Sequence, residues 1–252
     1  MAKIPIALQM YTVRDEAARD FIGAFKQTAE IGYSGVELAG TGGMSAAELK
    51  KVLDDLGLAV AGSHVGIEQL ESDLNAALDF NEALGNKRVV CPYMPEERRR
   101  NGDGWQRTAE LFNKVGQACC ARGLLFGYHN HSFEFETFDG VAGLDILFGG
   151  TDPALVKAEI DTYWVEHGGQ VPAEYIRRYA DRVELVHLKD MAATDDRGFA
   201  EVGTGILDFK AIFAESEKAG AAWYIVEQDV CPGPAFESVK LSFDNLKAMG
   251  QG

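Results

Sequence analysis

The sequence predicts an α/β fold, a closed (β/α)8 barrel made by a single domain over residues 1–252. Three observations point there. Short apolar runs alternate with helical patterns through the whole chain, eight times over, as a parallel sheet with helical crossovers requires. At 252 residues, eight such units match a closed barrel. An open dinucleotide-binding sheet would carry a Gly-x-Gly-x-x-Gly turn after its first strand, and none is present. No Pro/Ser-rich linker divides the chain.

The elements follow in order. Ile4 to Gln9 is a short apolar strand, and Asp20 to Ile31 has helical periodicity stopped by Gly32. Tyr33 to Leu38 is the second strand, followed by a helix from Ser45, whose Glu48 three residues on completes a capping box. Leu58 to His64 is the third strand, Ile67 to Leu84 one long helix, Arg88 to Tyr93 the fourth strand and Asn101 to Arg122 mostly helix. The fifth strand is Leu124 to His131, with a shorter helix over Val141 to Phe148; Leu155 to Asp161 is the sixth, followed by the helix Pro172 to Tyr179. Val183 to Leu188, the helix Phe209 to Ala219, Trp223 to Gln228 and the helix Ala235 to Met249 complete the pattern.

Composition narrows the class. Apolar residues are 46% and charged residues 25% of the chain, and no run of 18 apolar residues could span a membrane. The amino terminus, Met1 to Gln9, reads as a strand rather than a signal peptide, so a soluble, cytoplasmic protein is expected. The net charge of −15 opposes binding to nucleic acid, and Glu96-Glu97-Arg98-Arg99-Arg100 is too mixed to be a basic patch. Cys91, Cys119, Cys120 and Cys231 lack metal or redox spacing, so neither a disulfide nor a cysteine-bound metal is expected. No apolar stripe marks an interface, and a homodimer stays open.

In a barrel of this kind functional groups gather at the C-terminal ends of the strands. Gln9 and Tyr11, Glu37, His64, Tyr93, His129 and His131, Asp161, His187 and Glu227 end strands one to eight in turn. Four of the five histidines therefore fall at one rim, and His167 is assigned to a loop without a role. His129 and His131, two residues apart on one strand, share a face. Asp161, His187 and Glu227, on successive strands, offer oxygen, nitrogen and oxygen to one point above the barrel axis, a set that suits Mn²⁺, Mg²⁺, Co²⁺ or Zn²⁺.

Leu8-Gln9-Met10-Tyr11-Thr12-Val13-Arg14-Asp15, Gly127-Tyr128-His129-Asn130-His131-Ser132-Phe133-Glu134-Phe135, His187-Leu188-Lys189-Asp190-Met191 and Val202-Gly203-Thr204-Gly205 carry a resemblance. Together they are similar to the xylose-isomerase-like TIM-barrel superfamily, in particular its sugar phosphate isomerase/epimerase subgroup. The resemblance implies one divalent ion, usually manganese-like, held by a strand-five carboxylate with Asp161, His187 and Glu227. Many relatives place that glutamate where this chain has Tyr128 or His129; Glu134 is the first choice for the missing ligand, with His129 or water as alternatives. The resemblance also places His129 and His131 as catalytic groups near the substrate, with Lys189 as a cation for a substrate oxygen and Glu227 as both ligand and base.

Such a site makes an α C–H acidic by holding the neighbouring carbonyl oxygen, so an isomerase or epimerase of a small carbohydrate, working by proton transfer through an enediolate, is the first expectation. A lyase or hydratase acting on a 3-keto sugar, 3-keto-glycoside or inosose shares the same enolate; a sugar-binding barrel without turnover is the third reading, and a nuclease the last. Gln9, Tyr11, Glu37, His64, Tyr93 and Trp164 are expected around the substrate, with Tyr128 and, more weakly, Trp105 as further aromatic walls. Gly203 and Gly205, after strand seven, lie where barrels often cradle phosphate, although a plain turn fits them as well. The acidic balance favours an unphosphorylated sugar.

Overall fold

The structure, a computed structural model, describes residues 3–252; Met1 and Ala2, part of the amino-terminal reading above, lie outside the described residues. Eight parallel strands close into a barrel: β1 (Ile6–Gln9), β2 (Gly35–Leu38), β3 (Ala59–His64), β4 (Arg88–Cys91), β5 (Leu125–His129), β6 (Val156–Asp161), β7 (Val183–Leu188) and β8 (Trp223–Val226). Each pairs with its sequence neighbours, and β8 returns to β1 with Leu8 opposite Val226. This is the predicted eight-unit fold. No helix among the described residues is long and apolar enough to cross a membrane.

Local chemistry sets the helix boundaries. Asp20 accepts the Gly23 N–H to start the helix Phe21–Ile31, and Gly32, at φ 113°, ends it in a backbone region that other residues enter only at a cost. Ser45 and Glu48 form the expected capping box at the head of Ala46–Leu56. The long helix expected over Ile67 to Leu84 is two, Ile67–Ser72 and Leu74–Leu84, because Asp73 leaves helical geometry and its carboxylate caps the second by accepting the Ala76 N–H. Three short helices escape the sequence pattern: Arg14–Arg19, Glu96–Arg99 and Thr162–His167. The last holds His167, which had been placed in a loop.

Strands four, five and eight end earlier than expected, β4 at Cys91 so that Tyr93 lies beyond it. β5 ends at His129 and β8 at Val226, so His131 and Glu227 stand on the loops that leave the barrel. The helix read from Val141 begins at Gly143, since Val141–Ala142 pairs with Thr137–Phe138 as a small antiparallel ribbon; Asp190–Met191 and Phe199–Ala200 make a second one.

The barrel interior is layered. Ala7, Ala61, Val90, Leu185 and Ile225 form an apolar plug. Two residues further along the chain from three of these come Gln9, His187 and, just past the end of β8, Glu227. The polar site is thus the next layer of the barrel filling. Its floor is shaped by two shifts of strand register, one between Val36 and Glu37 and one between Ala158 and Glu159. Such irregularities re-aim a side chain, and here each one precedes a glutamate that points into the barrel.

Candidate active site

Seven ionisable side chains meet in this layer with almost no exposure. His129 and His187 face two ways. Downwards, His129 Nδ1 donates to Glu159 Oε1 at 2.9 Å, and His187 Nε2 donates to Glu37 Oε2 at 2.7 Å with Glu159 Oε1 3.1 Å away. His64 Nε2 joins the same floor, 2.8 Å from Glu159 Oε1 and 3.2 Å from Glu37 Oε2. Upwards, His187 Nδ1 lies 3.0 Å from Glu227 Oε2, and both His187 Nδ1 and His129 Nε2 lie 3.9 Å from Asp161 Oδ2. The upper atoms of His129, Asp161, His187 and Glu227 all fall within 4.8 Å of one another.

Backbone anchoring holds this set in place. Asp161 caps the helix Thr162–His167 by accepting the Trp164 N–H on Oδ1, and its own N–H donates to Asn130 Oδ1. Oδ2 is left facing the cluster without a well-directed donor, although Lys189 Nζ is 3.0 Å away. Lys189, fully buried, also contacts Glu227 Oε2 at 2.8 Å and Asp229 Oδ2 at 2.7 Å. It does not pair with Asp190.

The electrostatics separate the histidines. Burial pushes His129 down to about 4 and His131 well below its ordinary value, so both are neutral at pH 7. Burial also disfavours charge on His64 and His187, but Glu37 and Glu159 outweigh it and hold His64 at about 10 and His187 well above the usual range. Burial raises Asp161 to about 6. Glu227 is held well below its ordinary value because Lys189 and His187 outweigh the burial.

The upper donor set fits a divalent ion. A tetrahedral ion with bonds of about 2.1 Å places its ligands about 3.4 Å apart, and the separations of 3.0 and 3.9 Å bracket that spacing. Metal-bound imidazoles regularly donate their other N–H to a carboxylate, as His129 does to Glu159 and His187 to Glu37. The buried Asp161 Oδ2, short of an aligned donor, is the atom a cation would satisfy.

Several expectations change. Glu134 does not reach the cluster: Oε1 accepts the Tyr128 hydroxyl at 2.7 Å and Oε2 the His131 N–H at 2.9 Å, so both oxygens are engaged in holding the loop after β5. Of the strand-five candidates, His129 is the one that stands in the cluster. Tyr128 points out of the barrel against Phe112 and walls no pocket; Trp105 is likewise buried, beside Phe138. Gln9 and Glu37 lie buried beneath the cluster, with Gln9 Nε2 donating to Glu37 Oε2 at 2.8 Å. Glu159 was missed by the sequence reading. Its signal was its spacing of two from Asp161, which puts both carboxylates on the inner face of β6.

A cleft of about 240 Å³ opens above the cluster, lined by Tyr11, His64, Tyr93, His129, His131 and Glu227 among others. Tyr11 and Tyr93 stand at its mouth 44% and 45% exposed, available to a ligand's C–H face. His131 stacks on Phe133 with Trp164 beside it, which makes Trp164 a flanking wall of the cluster.

Comparison with known proteins agrees with this fold. The family model described as xylose isomerase-like TIM barrel matches residues 25–248. An inosose dehydratase from Geobacillus kaustophilus is 27% identical over 248 residues, covering 83% of this chain and 80% of its own. One from Clostridium botulinum is 26% identical, covering 85% and 84%. A crystal structure of a sugar phosphate isomerase/epimerase from Parabacteroides distasonis superposes with a TM-score of 0.84 at 28% identity, over 98% of this chain and 95% of that one.

Proposed function

The chain belongs to the xylose isomerase-like TIM-barrel family, and from that premise we propose that it is a divalent-metal-dependent enzyme that enolises a small carbohydrate ketone. The observation that carries this reading is the convergence of His129 Nε2, Asp161 Oδ2, His187 Nδ1 and Glu227 Oε2, with the rear nitrogens of both histidines seated on Glu159 and Glu37. Those four side chains would hold the ion; manganese is the first candidate, with magnesium, cobalt and zinc behind it. When bound, it supplies Lewis acidity at a substrate oxygen.

The chain's own groups supply the proton chemistry. Glu227, ionised by its proximity to Lys189, is the base for the α C–H. His131 is a neutral imidazole in the cleft lining, able to accept and return a proton, whereas His129 is committed to the ion and to Glu159. Lys189, kept charged by three carboxylates that outweigh its burial, offers a positive charge to a developing oxyanion. Tyr11 and Tyr93 hold the ring.

The enediolate has two fates. Return of the proton gives isomerisation or epimerisation. Departure of a β-hydroxyl gives dehydration, and one observation favours it: with Glu134 bound to Tyr128, no second carboxylate faces Glu227 from strand five. Proton exchange on both faces of a carbon works best with matched bases, whereas elimination needs unlike groups, a base and a proton donor. The inosose dehydratase names among the relatives agree with that preference.

The test is elemental analysis of the purified protein beside an Asp161→Ala/Glu227→Ala double variant, followed by incubation of small sugar and cyclitol ketones in deuterated solvent. Stoichiometric metal in the wild type alone, with metal-dependent loss of water by mass, is expected. Deuterium uptake without mass loss would assign the isomerase. Failure to bind any supplied divalent ion would overturn the reading.

A further inference from the structure

We propose that the substrate is an uncharged sugar or cyclitol bearing an apolar or aromatic substituent, and not a sugar phosphate. This rests on the enolising site proposed above and specifies what that site accepts. The first support is the fate of the glycine turn after β7. The N–H groups of Met191, Gly203, Gly205 and Leu207 converge, as they would on an anion, but the ligand is the chain's own Asp190 carboxylate, at 2.8, 3.0, 2.8 and 3.2 Å. A Cβ on Gly205 would sit 2.2 Å from the Met191 carbonyl oxygen and 2.4 Å from Asp190 Oδ1, so the nest is closed around that carboxylate. A backbone nest of this kind is a ready anion site, and here it is filled from within.

The second support is charge. Beside the tyrosines the cleft lining carries the carboxylates of Glu227 and Asp229, and His64 in the same lining is already paired with Glu159 and Glu37. Lys189, beneath them, already faces Asp161, Glu227 and Asp229. Arg14, at the edge, spends Nη1 on the Tyr11 carbonyl and Nη2 on the Asp229 carbonyl, each at 2.9 Å. A phosphate entering over the cluster meets the carboxylates of Glu227 and Asp229, while Lys189 and His64 are already paired with carboxylates and Arg14 lies at the edge with its Nη atoms on backbone carbonyls.

The third support is room. Tyr11 and Ala39 also line a neighbouring groove of about 340 Å³, with Met10, Arg14, Ala17, Ala18 and Phe21 on its walls. That groove is larger than the cleft over the cluster itself, and its walls are apolar side chains and glycines apart from Arg14, whose guanidinium lies over the Tyr11 ring at 4.3 Å. Its occupant is the substituent on the sugar, placed so that one tyrosine face of Tyr11 separates ring from substituent.

The experiment is calorimetry on the manganese-loaded protein with methyl glucoside, phenyl glucoside and glucose 6-phosphate. Phenyl glucoside should bind about tenfold more tightly than methyl glucoside, one aromatic contact's worth, and glucose 6-phosphate no more tightly than methyl glucoside. Ala18→Trp, at an exposed position on the groove wall, should remove the phenyl preference and leave methyl glucoside unchanged. The proposal is overturned by tighter binding of the phosphate, by equal affinity for the two glucosides, by a phenyl preference that survives Ala18→Trp, or by no binding of phenyl glucoside at millimolar concentration. Because binding and not turnover is read, the two readings fail separately: metal-dependent enolisation without the phenyl preference removes the substrate class alone, and the preference without turnover removes the reaction alone.

Discussion

Removing Glu159 should loosen the metal without touching it. Its Oε1 accepts from His64 Nε2 at 2.8 Å, His129 Nδ1 at 2.9 Å and His187 Nε2 at 3.1 Å. His187 would keep Glu37 at 2.7 Å, and His64 would keep Glu37 at 3.2 Å. His129 has no other acceptor at Nδ1, so the damage concentrates on one ligand. Loss of such a partner costs about 10- to 100-fold in metal affinity, or about 1.4–2.7 kcal/mol. Glu159→Ala is expected in that range, and Glu159→Gln, which keeps an acceptor oxygen but not the charge, nearer tenfold or below. The assay is competition for Mn²⁺ or Zn²⁺ against a chromophoric chelator at pH 7.5. An affinity for Glu159→Ala within twofold of wild type would refute the idea that this carboxylate fixes the tautomer and aim of His129.

Three further outcomes follow from the same geometry. Burial raises Glu134 from 4.5 to about 7; the folded state therefore holds its proton longer than the unfolded chain, and stability should fall as pH rises from about 4.5 to 7, by about 3 kcal/mol from this group. Urea titrations at pH 5, 6, 7 and 8 should show a shallower decline in Glu134→Gln, and an unchanged slope would contradict the assignment. Gly205→Ala drives a methyl group into the Asp190 nest and should destabilise by about 1–3 kcal/mol; a melting temperature equal to wild type would show that the nest can open. Asp161→Ala leaves Lys189 with Glu227 and Asp229, so the fold should survive while metal retention is lost, read by circular dichroism beside elemental analysis; metal retained in full by the variant would remove Asp161 from the ligand set.

What the sequence determined by itself was the architecture and the rim at which the candidate ligands gather. Strand β7 and the helix Phe209–Ala219 fall at the residues their patterns indicate, because a buried parallel strand and an amphipathic helix are written in local periodicity. The rim position of Asp161, His187 and Glu227 followed from strand order alone. Which strand-five side chain faces the cluster did not, and neither did the place of Glu159 beneath it. Whether His129 or Glu134 faces the cluster depends on where β5 stops and which face of it turns inward, and that is settled by its register with β6, where His129 stands opposite Glu159. Glu134 is three residues beyond His131 in the chain, but the Tyr128 hydroxyl and the His131 N–H draw it to the outer side of the strand. Likewise, Gly203 and Gly205 could have cradled a phosphate until folding brought Asp190 into the turn. Periodicity is a property of neighbours along the chain; the choice among several competent donors belongs to barrel closure, which decides which of them are buried together and which already have partners.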